Sequence, residues 1–279
     1  METVERDYAP LGVRFFYIYK ALAHPEHNGY LTPINLKERL MHIKEAQRTL
    51  GSRIPWISDT MENTLKHGLG NRPNSEFIID PNGIIIQSRT WSDPNALRSD
   101  LERLIGTVDS PTQIQDLDLK SSPPPDTVAK GLVPRLKLPD PNMQPVKVQS
   151  KSNDTQHPHF VKLRAEATSE LLQNGKGQLY LGFFMDPLHH VHWNNLTEPL
   201  KFTLDLPIGL KTDTPIGNAP KVNHPADADP REFLIQIELG NTPNPPPFLV
   251  TIDYFACDND NTFCIPVRQV FEVSIERDQ

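Results

Sequence analysis

The sequence predicts an α/β domain over residues 1–107, a Pro-rich linker over 108–155 and an all-β sandwich over 156–279. Three observations carry this reading. Of the 28 prolines, seven fall in residues 1–105, eight in 106–150 and thirteen in 151–279. Proline donates no hydrogen bond to a helix or a ladder, so the dense middle stretch marks a boundary between folded parts. Before it, continuous apolar runs alternate with helical spacing. After it, the apolar residues come in short alternating runs separated by turns.

Taken in order, Gly12 to Tyr19 is an aromatic and β-branched run that predicts a central strand buried on both faces. Leu36, Leu40, Ile43, Ala46 and Leu50 recur at helical spacing, with Asn35 and Glu38 as a capping pair and Gly51 as the stop. A short strand over Ile54 to Ile57 and a short helix opened by Asp59 follow. In Phe77 to Ile86, Pro81-Asn82-Gly83 predicts the turn of a hairpin. A last helix starts at Asp93-Pro94, cap followed by first-turn proline, and puts Leu97, Leu101 and Leu104 on one face. The order is β-α-β-α-β-β-α. The linker contains Pro123-Pro124-Pro125 and four prolines between Pro134 and Pro145, which suits a semi-rigid extended segment lying along a domain surface. Beyond it, strands are expected at Val161 to Ala167, Gln178 to Phe184, Leu200 to Leu206, Phe233 to Leu239, Phe248 to Phe255 and Val267 to Ile275, with no helix among them.

Charge and patterning exclude several partners. The net charge is −7 and no Lys/Arg cluster lines a face, which argues against nucleic acid. No apolar run approaches the roughly 18 residues of a membrane span. Gly68 and Gly70 stop a helix where a phosphate loop would open one.

Two places could carry chemistry. The only cysteines, Cys257 and Cys264, are separated by six residues of turn-forming character, so the chain can reverse and bring them to disulfide distance. Such a pair is either a staple, two buried thiols or a redox site. The segment Met185 to Trp193 offers His189, His190 and His192 with the Met185 thioether nearby. On a strand, His190 and His192 share a face, a set that copper would accept, or zinc with an added carboxylate. His157 and His159 read as loop histidines, and Asp59 and Glu62 as capping residues.

The first domain resembles the iodothyronine deiodinase-like family of thioredoxin-fold proteins. The match runs through Phe15-Phe16-Tyr17-Ile18-Tyr19, Ala23-His24-Pro25, Gly29-Tyr30, Asp59-Thr60-Met61-Glu62-Asn63, and Pro73 ahead of Phe77-Ile78-Ile79. The resemblance implies that Pro73 faces the place of a redox centre. The strand and turn bearing the family's reactive cysteine or selenocysteine would precede Gly12, where eleven residues stand, and residues 1–107 hold no cysteine. The thioredoxin-like domain is therefore expected to be incomplete, with a reactive residue upstream of Met1 as one reading, and the family's chemistry is not expected in it.

The second domain is similar to the immunoglobulin-like amino-terminal domain of the disulfide-interchange protein DsbD and its relatives. That similarity runs through Gly182-Phe183-Phe184, His192-Trp193, Leu204-Asp205-Leu206-Pro207, and Val250 to Cys257 leading to Cys264-Ile265-Pro266. It implies that Cys257 and Cys264 cycle between dithiol and disulfide with thiol or disulfide protein partners, as a thiol–disulfide oxidoreductase that requires no cofactor. The alternative is a copper-binding or interaction module with a structural disulfide. A persistent cysteine pair suits an extracytoplasmic compartment such as the periplasm, while the residues from Met1 show no signal-peptide pattern.

Overall fold

A computed structural model describes residues 1–21, 29–123, 129–140, 142–151, 158–240, 245–260 and 262–277. The chain divides into two compact units, residues 1–25 with 32–124, and residues 26–31 with 125–279. Among the described residues no helix is long and apolar enough to cross a membrane.

The first unit opens with a helix absent from the sequence reading, α1 (Glu2–Tyr8). Val4 and Tyr8, one helical turn apart, are buried with Leu97 and Leu101 in a small core. The expected central strand over Gly12 to Tyr19 is not formed. Strand β1 is only Tyr17–Tyr19, pairs in parallel with β2 (Trp56–Ser58), and leaves Phe16 52% and Ile18 38% exposed. A strand is covered on both sides only when elements pack on both faces. Here the Tyr17 ring meets Trp56 and the Tyr19 ring meets His42, both at a tilt, while the Ile18 face is open.

Helix α2 (Leu36–Leu50) has the expected ends: the Asn35 side chain accepts from the Glu38 N–H, and Gly51 closes it in the left-handed region at φ 63°. Its buried face is not the expected stripe. Leu36, Leu40 and Leu50 are exposed, whereas Glu38, Arg39, His42 and Ile43 are buried. The reason is polar anchoring. Arg39 donates to the carbonyls of Asp59 and Thr60 and to the Asn63 side chain, so the helix turns its guanidinium inward where those acceptors stand. The short helix α3 (Thr64–Gly68) starts at Asn63, later than expected, and the Asp59 carboxylate reaches across to accept from the Leu65 and Lys66 N–H groups. Strands β3 (Glu76–Ile79) and β4 (Ile85–Arg89) form the expected hairpin, its turn held by the Asp80 carboxylate. Helix α4 (Pro94–Leu104) is capped by Asp93 as expected and buries Leu97 and Leu101, while Leu104 is exposed.

The second unit is a large curled antiparallel sheet. Strands β5 (Gln144–Ser150), β6 (Val161–Ala167) and β7 (Lys176–Met185) are followed by β8 (Val191–Asn194), β9 (Lys201–Asp205), β10 (Lys211–Thr212) and β11 (Ile216–Asn218). Then come β12 (Ala226–Asp227), β13 (Arg231–Glu238), β14 (Phe248–Asp258) and β15 (Cys264–Arg277). Their order is β10-β13-β7-β6-β5-β15-β14-β8-β12, with β9 between β14 and β11. Strand β5 makes the corner: Gln144 and Pro145 pair with β6, and Val146 to Ser150 pair with β15, so the sheet folds over on itself. The core lies inside the fold, with Phe183, Phe202 and Phe233 in mutual ring contact at 4.8–6.3 Å. All six expected strands are present. The expectation of no helix is corrected by α5 (Ser169–Asn174), a single capped turn between β6 and β7 that Thr168 opens and Gly175 closes.

Within the Pro-rich stretch, the described residues make structure of their own. Besides β5, the backbone N–H groups of Lys130, Gly131, Leu132 and Val133 all donate to the buried Asp229 carboxylate. Arg135 forks onto Glu232 with two bonds of 2.9 Å, and Glu232 also accepts from Tyr180. Residues 130–136 are thus a strap tied to the outside of the sheet.

Candidate disulfide site

The site follows from strand alternation. Along β14, Phe248, Val250, Ile252, Tyr254 and Ala256 point into the core, so Cys257 falls on the outer face. On β15, Val267, Phe271 and Val273 point inward and Cys264 outward. The two cysteines are register partners and form a disulfide with Cα atoms 4.0 Å apart. Directly beyond them, Asp258 donates to the Phe263 carbonyl at 3.2 Å, closing the hairpin loop.

Strand β8 borders the other side of β14. His192 is the register partner of Cys257, so His192, Cys257 and Cys264 stand in a row across three strands on one outer face. Trp193, the next residue, points the opposite way: its indole N–H donates to the Asp229 carbonyl at 2.8 Å and its ring meets Tyr254 edge-on. This row sets an asymmetry. Cys257, flanked on both sides, is 7% exposed, whereas Cys264, on β15, is exposed. The Asn194 side chain donates to the Cys264 sulfur at 3.0 Å.

The loop above the disulfide is braced at both ends. The Asn259 N–H donates to the His190 carbonyl at 2.9 Å, and its side-chain oxygen lies 3.3 Å from His192 Nδ1. Phe263 stacks over Phe160, whose ring edge meets His189. The Asp258 carboxylate accepts from the Thr262 and Phe263 N–H groups and from the Thr262 hydroxyl. Partial desolvation pushes this carboxyl up, but the Phe263 and Thr262 donors outweigh it and hold the group below its ordinary value. A carboxylate depressed in the folded state stabilises the loop above its unfolded value and loses that contribution as pH falls through the folded value. The Thr262 and Phe263 amide resonances are therefore expected to titrate with a midpoint below the ordinary aspartate value. Asp258→Ala should abolish that step and speed exchange of both amides at neutral pH. A midpoint at or above the ordinary aspartate value would overturn the assignment.

The four candidate metal ligands lie on different elements. Met185 ends β7, His189 closes a 3-10 turn over Pro187–His189, His190 is its left-handed cap at φ 53°, and only His192 lies in β8. Among the described residues no group of three or more His, Cys, Asp or Glu side chains is placed to hold a metal ion. His159 lies beside this region and its carbonyl accepts from Lys162, while His157 and the Ala23-His24-Pro25 segment lie outside the described residues. Pro73 stands three residues before β3 in the first unit. No local sequence pattern marks Asn194, Asn259, Phe160 and Phe263 as neighbours of the disulfide. Period-two alternation counted from Tyr254 would have placed Cys257 outward, but nothing local announces which strand lies beside it.

No family model matches this chain, and no curated protein matches it. A FixG-related protein from Vibrio parahaemolyticus, known from a crystal structure, is similar over 40% of this chain and 95% of that one, at 11% identity and a TM-score of 0.20, a likeness too slight to bear on fold or function.

Proposed function

We propose that the β-rich unit is a thiol–disulfide exchange module working through Cys257 and Cys264, with an immunoglobulin-like, DsbD-like sandwich as its scaffold. The observation that carries this is the outward placement of the disulfide with one sulfur exposed and the other covered. A staple gains nothing from accessibility, whereas exchange needs a partner thiolate to reach one sulfur in line with the S–S bond. The exposed Cys264 is that sulfur. A partner thiolate attacks it, the S–S bond breaks, and its electron pair leaves on Cys257, which takes a proton. A second partner thiolate then attacks the partner sulfur of the mixed disulfide and displaces Cys264 as thiolate, which takes the second proton. The partner ends as a disulfide and the pair as a dithiol, two electrons and two protons richer.

The first unit is read as a thioredoxin-like, deiodinase-like domain. Its parallel β1–β2 pair, its β3–β4 hairpin and the helices between them follow the expected order, and Pro73 precedes the hairpin. With no cysteine in residues 1–107, the redox work of this chain falls to the second unit. An oxidising compartment such as the periplasm suits it.

The test is equilibration with glutathione over a range of ratios, together with trapping. Cys257→Ser is expected to accumulate a mixed disulfide through Cys264 with a small disulfide reagent, and Cys264→Ser to do so at least about a hundredfold more slowly, because its thiol is covered. A pair that stays oxidised under strongly reducing glutathione would reduce the disulfide to a staple.

A further inference from the structure

We infer that Asn194 is a positioning residue that sets the reactivity of Cys264: its amide N–H holds the Cys264 sulfur in the disulfide and stabilises the same sulfur as a thiolate once the mixed disulfide is resolved. The inference rests on the exchange reading and goes beyond it by naming the group that tunes the accessible sulfur.

The geometry supports this from both ends of the side chain. Asn194 Nδ2 lies 3.0 Å from Cys264 Sγ. The amide is held in that sense because Oδ1 accepts from the Leu196 N–H at 3.0 Å, which leaves only the NH₂ end for the sulfur. The Asn194 carbonyl accepts from the Thr197 hydroxyl at 3.0 Å, and Asn194 pairs with Ala226 across to β12, so its backbone is fixed on two sides. Among the described residues it is the one side chain that donates to this sulfur.

A disulfide sulfur is a weak acceptor and a thiolate a strong one. The same N–H therefore contributes more after reduction than before it. It favours the reduced pair, lowers the thiol pKa of Cys264 and makes Cys264 a better leaving group when a second partner thiolate resolves the mixed disulfide. The charged or titratable groups nearby are His192 on β8, Asp258 at the loop mouth and the Asp253–Arg268 pair farther along the outer face. None of them changes in the variants below, so the difference from the unaltered chain isolates the amide.

The experiment measures the Cys264 thiol pKa from the pH dependence of iodoacetamide alkylation in a Cys257→Ser background. It also measures the glutathione equilibrium of the intact pair. Asn194→Leu, similar in size but without a donor, is expected to raise the thiol pKa enough to lower the neutral-pH thiolate fraction about tenfold, and to make the pair about tenfold harder to reduce at pH values above that thiol pKa, where the thiolate is the reduced form present. Asn194→Asp keeps the acceptor for Leu196 but places a carboxylate at the sulfur, and should move both readings the same way and further. Asn194→Ser, which keeps a donor, should recover part of each. Thiol pKa values unchanged in all three variants would overturn the role of Asn194 while leaving the exchange reading intact. A wild-type pair that glutathione cannot reduce would end the exchange reading, and the alkylation profile would still decide whether Asn194 tunes the thiol. Should Cys257→Ser fail to fold, the same profile on the fully reduced two-thiol protein decides it.

Discussion

Arg231→Ala is expected to cost the second unit about 3–5 kcal/mol, because it strips a buried carboxylate of its partner. Both side chains of the Asp227–Arg231 pair are almost fully buried, at 0% and 2% exposure, and two bonds of 2.9 Å join them. The guanidinium also donates to the Asp229 carbonyl and the Asn195 side chain and lies 5.2 Å over the Trp193 ring. Burial pushes the Asp227 carboxyl up, but the Arg231 and Asn195 donors outweigh it and hold the group below its ordinary value. In the unaltered chain this contribution is present above the unfolded aspartate value and is lost as pH falls through the folded one. Without Arg231 the balance reverses. Desolvation would then raise the folded value above the unfolded one, so the variant should gain stability as pH falls from the raised folded value to the unfolded one, a window above the one in which the unaltered chain loses it. Urea unfolding over a pH series checks both magnitude and sign. A loss below about 1 kcal/mol, the scale of an exposed pair, would mean that the pair is not sealed from water. The consequence reaches the disulfide, because Trp193 is anchored to this cluster and the neighbouring His192 covers Cys257.

Asp229→Ala should release the strap over 130–136 while the sheet stays folded. Four backbone N–H groups converge on one carboxylate that is 1% exposed, an anion site made by the chain itself. Loss of the carboxylate leaves those donors either unpaired or undocked into water, and undocking is the cheaper outcome. A cost of about 2–3 kcal/mol in docking corresponds to a roughly 30- to 150-fold rise in the open population. Trypsin reads this directly, since Lys130 and Arg135 lie in the strap and cleavage follows the open fraction when opening is fast. Cleavage at the unaltered rate would show that the Arg135–Glu232 fork holds the strap alone.

Much of the fold was legible because local chemistry and tertiary demand agree there. Asn35 and Gly51 bound α2, Asp93 opens α4, Asp80 to Ile84 turn the hairpin, and the alternating runs of the second half are strands. Structure departs from sequence pattern where distant partners outweigh it. The α2 stripe promised a leucine-lined buried face, yet Arg39 is drawn inward by carbonyls twenty residues away in the chain. The run Gly12 to Tyr19 promised burial on both faces, yet burial depends on neighbours that no run of residues specifies. The α1 and α5 helices are too short for periodicity to register.

For the site, the sequence by itself determined that this chain has two cysteines and that the six turn-forming residues between them let the chain reverse and bring the pair to disulfide distance; their common outer face comes from the strand register. Only the tertiary structure decided that β8 lies beside β14. That pairing covers Cys257 with His192, brings Asn194 to the Cys264 sulfur and leaves Cys264 open. The physical reason is separation along the chain: register across a hairpin is set by its own turn, whereas the choice of the next strand is set by how the whole inner face packs.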